Sequence, residues 1–469
     1  MGSRQQPWRL LTLAVFLGLT LVPLVRPGMF MDGLLYLTVA HNQAHGFGSF
    51  WEPRFSQEGL LHQPIFSEHP PLAFGMEAQW FRVFGDAFWV EGAYSLAMAA
   101  LTAMLLVALW RTLWPAGDPS RRVGWLAVLF WIVVPQVHWC VQHNMQENTM
   151  AVFTVAAVLV AVRSAHGNIP IILGSALVGL LTLAAGLVKG PPGLFPVVAP
   201  ALYAAIGGIG GMRRGIFGSA VATLTVAGGL ALLLAWPEAR ESLERYADGR
   251  LLHRIEQDPT VDFRWRTLQH LFLAMLGPLV VTVIILVVGR KNAGHVLTNP
   301  TRKAAALISI GLAGVLPLML TMVQKSFYMV AALPMISIGL ALFAAPHVAR
   351  WTEFALGERT RQWLSRSGVV AVAGVLLAAI LFFGRPSRDA DLLHDTALIG
   401  KEVAPHSLVS ATPSVREQWN LQSYLMRYHF ISLTEKSELP YALTEWDQPG
   451  PEGYEKVPLS TQRVHLWRR

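Results

Sequence analysis

Charge is scarce in this 469-residue chain. Asp, Glu, Lys and Arg together make up 14%, against roughly 25% in soluble globular domains. Cysteine is nearly absent. The single Cys140 excludes an internal disulfide framework and any paired-cysteine metal site. In its apolar-aromatic setting, VHWCVQH, it reads as a small packed hydrophobe. No basic stripe interleaved with aromatics occurs, so the formal charge of +8 does not point to nucleic acid. No repeat of roughly 20–50 residues and no low-complexity tract stands out. What the chain has is apolar sequence: 53% hydrophobic residues and a mean hydropathy of +0.43. That balance describes an integral membrane protein in a lipid bilayer.

A membrane span needs about 20 mostly apolar residues. Eleven such runs lie near 9–25, 89–113, 123–140, 147–164, 169–188, 193–210, 215–236, 268–289, 303–323, 327–345 and 367–384. The first lacks a small-residue cleavage site and reads as a retained helix rather than a signal peptide. With the N-terminus placed in the cytoplasm beside Arg4 and Arg9, alternate short loops carry Arg111, Arg121 and Arg122; Arg163; Arg213 and Arg214; Arg290, Lys291, Arg302 and Lys303; and Arg350, Arg359, Arg361 and Arg366. The opposite short loops carry little beyond Lys189 and Lys325. This asymmetry is that of the positive-inside rule. The long loop 237–266 mixes arginines with acids and weighs little. Segment 26–88 and the tail 385–469 then face outward. The expected partition is a transmembrane domain, 1–384, with its first outer loop at about 26–88, and a small mixed α/β domain, 385–469. Within the tail, ALIGKEVAPHSLVSATPS and LQSYLMRYHFISLT suggest an αβ hairpin-like unit.

Five stretches carry side chains able to do chemistry. MDGLLYLTVAHNQAHG places Asp32 and Tyr36 at helical spacing, with Gly46 to end the helix. Asp32 reads either as a helix N-cap or as a general base at the membrane surface. In FSEHPPLAFG, Glu68 and His69 precede two prolines. They are either solvated turn residues or a phosphate or metal contact. QHNMQENTM clusters Gln142, His143, Asn144, Gln146, Glu147 and Asn148 between two spans, as an ordinary polar loop or as a functional one. In AAGLVKGPPGLF, Lys189 is the only charge between Arg163 and Arg213. Gly190, Pro191 and Pro192 break the helix beside it. A snorkelling anchor and a cation for an anionic head group both fit. In VQKSFYMVAALP, Lys325 and Tyr328 lie one turn apart at a span end, where an interfacial anchor pair is also expected. On the expected topology Asp32, Glu68, His69, Glu147, Lys189 and Lys325 share the outer face. Acids, a histidine and lysines at one membrane surface suit a reaction on a phosphate-bearing lipid.

In this order and spacing, MDGLLYLTVAHN, EHPPLAFGMEAQWFRVFGDAFWVEGAYSLAMAALTAMLLVALW, the Glu147 loop, GLVKGPPGLFPVVAPALY and KSFYMVAALPMISIGLAL resemble the bacterial branch of glycosyltransferase family 39. That branch includes the protein O-mannosyltransferase-like enzymes and the aminoarabinose transferase of lipid A. The likeness covers roughly residues 10–345. It implies an all-α polytopic GT-C fold with interfacial helices in the first outer loop. It also implies a polyprenyl-phosphate-linked sugar donor and an inverting transfer at the periplasmic face of a bacterial inner membrane. The acceptor would be a lipid, glycan or protein of the envelope. Carried over, Asp32 matches the catalytic aspartate, Glu68 the acid before Pro-Pro, and Glu147 the second-loop acid, often Asp. Lys189 and Lys325 match basic positions near the donor phosphate, with Tyr328 beside them. His69 stands where members often have lysine, and with Tyr36 it joins the expected substrate contacts. A divalent metal near Glu68 and Glu147 is compatible with this reading and not required by it. The rivals are a transporter or flippase of lipid-linked sugars, which has no use for Asp32, and a ligase using a pyrophosphate-linked donor.

Overall fold

The computed structural model describes residues 4–59, 63–252, 259–290 and 300–469. The helices run in chain order as α1 Gln6–Leu24, α2 Met31–Ala44, α3 Leu72–Phe84, α4 Val90–Leu113, α5 Trp125–Ile132 and α6 Pro135–Gln142. They continue with α7 Gln146–Ala165, α8 Ile171–Lys189, α9 Ala199–Gly207, α10 Met212–Ala235, α11 Pro237–Tyr246 and α12 Arg266–Arg290. The last six are α13 Thr301–Val315, α14 Leu333–Arg350, α15 Glu358–Phe382, α16 Ala390–Glu402, α17 Pro413–Arg416 and α18 Trp419–His429. The chain divides into two compact units. One comprises Met1–Pro23, Ser95–Gln142 and Gln146–Leu381; the other comprises Leu24–Tyr94, His143–Met145 and Phe382–Arg469.

The first unit is a multi-pass helical membrane assembly. Among the described residues nine helices are long and apolar enough to cross a bilayer, or ten if one bent pair is counted as a span. The expected count of eleven therefore changes at two places, both of them prolines. Run 123–140 is two helices, α5 and α6, bent by 79°. Pro135 lacks an N–H and pushes Val134 away from helical geometry, so α5 ends before it. Run 193–210 is a shorter apolar stretch, Pro191–Gly207. There Pro191, Pro192 and Pro196 favour 3₁₀ turns before α9 begins. Lys291 and residues 253–258 of the long loop lie outside the described residues. Burial sorts the spans. For α14, 72% of the apolar window is buried, and for α10 and α15 only 11%. Leu224, Leu232, Val370 and Ile380 are accordingly exposed. In water such faces would drive association; in a bilayer they meet acyl chains.

The second unit joins the first long loop to the tail. α2 starts and stops where its sequence says, with Asp32 in the first turn and Gly46 at positive φ just beyond His45. Phe30, not Asp32, occupies the N-cap, and its side chain makes no capping bond. From Gly33 to Gln43 every residue is buried, since α3 packs on α2 from one direction and α18 from another. Phe66 and Phe74 pack edge to face beside it, and Phe55 is also buried. The tail is mixed α/β. Strands β1 Leu408–Ala411, β2 Ser432–Thr434, β3 Tyr441–Glu445, β4 Glu455–Lys456 and β5 Val464–Arg468 form one sheet in the order β2-β1-β3-β5-β4. The expected hairpin-like unit is instead a parallel crossover: β1 and β2 pair in parallel through α18, a geometry that requires a helix-length connection. Asp395 is fully buried, and its carboxylate accepts the backbone N–H groups of Gln462, Arg463 and Val464 at 2.7, 2.7 and 3.2 Å. That bond set ties α16 to the start of β5.

One buried ion pair closes this unit. Arg427 of α18 is 3.1 Å from Glu91 at the start of α4, and its guanidinium also donates to the Asp86 carbonyl at 3.1 Å. Removing one partner of such a pair strands a charge in a dry environment, at roughly 3–5 kcal/mol. Arg427→Ala should therefore lower thermal stability in detergent by that order. An Arg427→Met, Glu91→Gln double variant should lose less than those two single changes summed, which differential scanning fluorimetry of the wild type, both single variants and the double variant checks.

Candidate active site

The second unit brings together Tyr36 and His69. Tyr36 Oη lies 2.9 Å from His69 Nε2, and both side chains are buried. Their rings meet edge to face. Tyr36 stands four residues after Asp32, so the two share one face of α2. Glu68 is half-buried beside His69. His69 is thus held by a phenol hydroxyl, which orients the imidazole.

The loop His143–Met145 clasps the start of α2. His143 Nδ1 accepts the Phe30 N–H at 3.1 Å. Burial, reinforced by Arg388, pushes the His143 imidazole down to about 4. It is therefore neutral at physiological pH and has a lone pair to offer. Gly33 passes so close to this loop that a Cβ there would lie 1.9 Å from the His143 carbonyl oxygen. Any side chain at the position next to Asp32 would push α2 off the loop. Asn144, at φ 49°, donates to Glu77 at 2.6 Å. Glu77 is fully buried, and its carboxyl is raised to about 8 by burial; the Asn144 bond opposes that shift, Glu91 adds to it and Arg427 opposes it.

The first unit brings together Glu147, Lys189 and Tyr328. Glu147 lies in the first turn of α7 and Lys189 is the last residue of α8. Lys189 Nζ is 2.6 Å from Glu147 Oε1, with side-chain exposures of 5% and 0%. The spacing is that of an ion pair, but the approach is not aligned as a hydrogen bond, and Glu147 Oε2 has no protein donor among the described residues. The ammonium also lies 5.6 Å from the Tyr328 ring centre and 5.5 Å from that of Phe327, within cation–π range. Gly190 follows at φ 79°, a conformation that disfavours side chains. A Cβ on it would meet the Tyr246 hydroxyl at 2.1 Å.

Glu147, Lys189, Tyr246, Phe195 and Tyr328 help to line a cavity of about 410 Å³ with mostly apolar walls. Lys325 is exposed and is not among the lining residues. Sequence reasoning overlooked Tyr246. It lies in the charged segment ERYADG, which carries no local sign that it folds against Gly190. It also overlooked Glu77, eight residues after His69 inside an apolar helix. Among the described residues neither Glu68 nor Glu147 belongs to a group of three His, Cys, Asp or Glu donors spaced to hold a metal.

Solved structures with this architecture include ArnT from Cupriavidus metallidurans in its apo state, with a TM-score of 0.63 and 15% identity over 99% of this chain and 98% of that one. The same protein bound to undecaprenyl phosphate matches with a TM-score of 0.63 and 14% identity, over 98% and 97% of the two chains. The chain has the GT-C fold. The arabinofuranosyltransferase AftD from Mycobacteria shares the GT-C architecture, with a TM-score of 0.52 and 12% identity over 98% of this chain and 39% of that one. No protein-family model matches the sequence, and no curated protein matches it.

The Glu77 carboxyl gives a testable pH signature. Its folded value, about 8, lies above its ordinary value of 4.5. The native state therefore holds a proton that the unfolded chain releases, so stability is full below about 4.5 and declines as pH rises to about 8. Glu77→Gln should flatten that decline, and thermal unfolding of both proteins across pH 5–9 reads it directly. Equal pH slopes would remove Glu77 as the cause.

Proposed function

We propose that the protein is a membrane glycosyltransferase. It would move a sugar, with inversion, from a polyprenyl-phosphate-linked donor to a hydroxyl of an envelope lipid, glycan or protein, at the periplasmic face of a bacterial inner membrane. The observation that carries this reading is the buried Lys189–Glu147 pair in a mostly apolar cavity. A polyprenyl phosphate combines a long apolar chain with a compact anion, and the cavity offers walls for the one and an ammonium for the other. The GT-C fold, shared with a protein solved with undecaprenyl phosphate, supports the same reading.

In this mechanism the donor phosphate engages Lys189 in partial exchange for Glu147, with the Tyr328 ring beside it. Lys325 and His69, oriented by Tyr36, are further phosphate contacts on the strength of the sequence resemblance. On the same basis Asp32 is the general base, with Glu68 and Glu147 as the other carboxylates of the reaction. Asp32 takes the proton of the acceptor hydroxyl as its oxygen attacks the anomeric carbon. The bond between that carbon and the phosphate oxygen breaks, and its electron pair leaves with polyprenyl phosphate. The leaving group is already an anion, so no general acid is needed. Cation pairing with the departing phosphate lowers the barrier.

Three experiments test the assignment. Asp32→Asn should lower transfer by roughly 10²–10⁴-fold at an unchanged protein level. Turnover that persists in this variant removes Asp32 as the base. Lys189→Ala alone leaves the Glu147 carboxylate buried and uncompensated, so the neutral pair Lys189→Met, Glu147→Gln is the better probe. Its thermal stability should approach that of the wild type while its KM for the donor rises. In reconstituted vesicles, released polyprenyl phosphate should match product one for one; translocation of donor without release would make the protein a flippase.

A further inference from the structure

Away from the residues assigned to transfer, the second unit holds a cluster that the mechanism does not use. His41 and His45 are four apart in AHNQAH, so they project from one side of the α2 terminus. The turn after α3 brings Asp86 to them. His41 Nε2 lies 3.2 Å, and His45 Nε2 2.8 Å, from the same carboxylate oxygen, Asp86 Oδ1. These three donor atoms all lie within 4.8 Å of one another, the one such group of three among the described residues.

We propose that His41, His45 and Asp86 form a binding site for a divalent transition-metal ion of the zinc type. Two imidazoles converge on one carboxylate oxygen. His41 is 1% exposed; its Nε2 meets the Asp86 carboxylate at 3.2 Å without hydrogen-bond alignment, and its Nδ1 makes no hydrogen bond. An ion between the imidazole and the carboxylate would give Nε2 a directed bond in place of that poorly aligned contact. A tetrahedral ion with ligands at about 2.0–2.2 Å holds its donor atoms roughly 3.4 Å apart. The two spacings to the carboxylate oxygen, 3.2 and 2.8 Å, need open by well under an ångström to accept one. A two-nitrogen, one-oxygen donor set suits zinc and its transition-metal neighbours rather than magnesium or calcium, which take oxygen.

The surroundings fit an ion with one open position. His45 and Asp86 are part-exposed, at 37% and 49%, which gives the ion a route in and leaves a fourth position for water. Phe81 and Phe430 pack against the His41 ring and limit its swing. Arg427, the nearby cation, is engaged by Glu91 and by the Asp86 carbonyl. A bound ion would fasten the end of α2 to the turn between α3 and α4. It would stabilise the unit that carries Asp32 without entering the transfer step.

The test uses purified full-length protein in detergent, stripped with a chelator and titrated with zinc against a chromophoric competitor. One equivalent should bind, and cobalt in its place should give the visible absorption of a tetrahedral site. His45→Ala and Asp86→Asn, both at part-exposed positions, should weaken zinc binding by more than the roughly 10–100-fold that loss of a partner orienting a ligand costs. Zinc should raise the melting temperature of the wild type and leave that of the variants unmoved. A wild type that binds no stoichiometric zinc, or variants that bind it as the wild type does, overturns the site. Because no readout is transferase activity, the result stands apart from the functional assignment.

Discussion

A lysine ammonium buried in apolar sequence must have a counter-charge, and Lys189 finds it in Glu147 at 2.6 Å. Much of the first unit's polar chemistry is arranged around that requirement. α7 and α8 pack against each other, and they place Glu147 at a helix N-terminus and Lys189 at a helix C-terminus. Each charge thus sits where its own helix dipole favours its sign. The helix cannot continue beyond Lys189, because Gly190 turns left-handed and the prolines after it remove donors. The broken stretch Pro191–Gly207 follows, and with it the cavity wall that includes Phe195. On the proposed function, such a pair would hold a cation for an anionic ligand while keeping Lys189 from carrying an uncompensated charge.

The second unit answers the same constraint with other residues. Arg427 is paired with Glu91, and Asp395 takes three backbone donors. Glu77 has a single amide partner, Asn144, and burial resolves the shortfall by holding it protonated up to about pH 8. These polar contacts link the first long loop, the loop at 143–145 and the tail. The helix that carries Asp32 and Tyr36 is therefore buried along nearly its whole length. The base proposed at Asp32 would need a fixed position more than exposure, and a helix docked on three segments supplies one.

The candidate residues were legible as types and as places on the chain. Lys189 stood out because it is alone among apolar residues, Glu147 because it heads a span, and Glu68 and His69 because prolines follow. Their partners were not legible. Nothing near Tyr36 indicates a bond to His69, thirty-three residues on, and nothing in ERYADG indicates that Tyr246 meets Gly190. The His41, His45, Asp86 cluster was half visible as an i, i+4 histidine pair, but its third member comes from the turn after α3.

Hydropathy alone determined that this chain is a polytopic helical membrane protein, and charge asymmetry supplied an expected orientation for it. Both depend on local composition, because a bilayer filters segments one at a time. Turn chemistry likewise determined where α2 stops and where α8 breaks. Tertiary structure decided what composition could not. Pro135 splits one expected span into a bent pair, the tail pairs β1 and β2 in parallel through α18, and Lys189 pairs with Glu147 while Lys325 remains exposed. Those outcomes depend on contacts between residues far apart in sequence. Only the packed chain sets the distances, and hence the burial and pairing, of its charges.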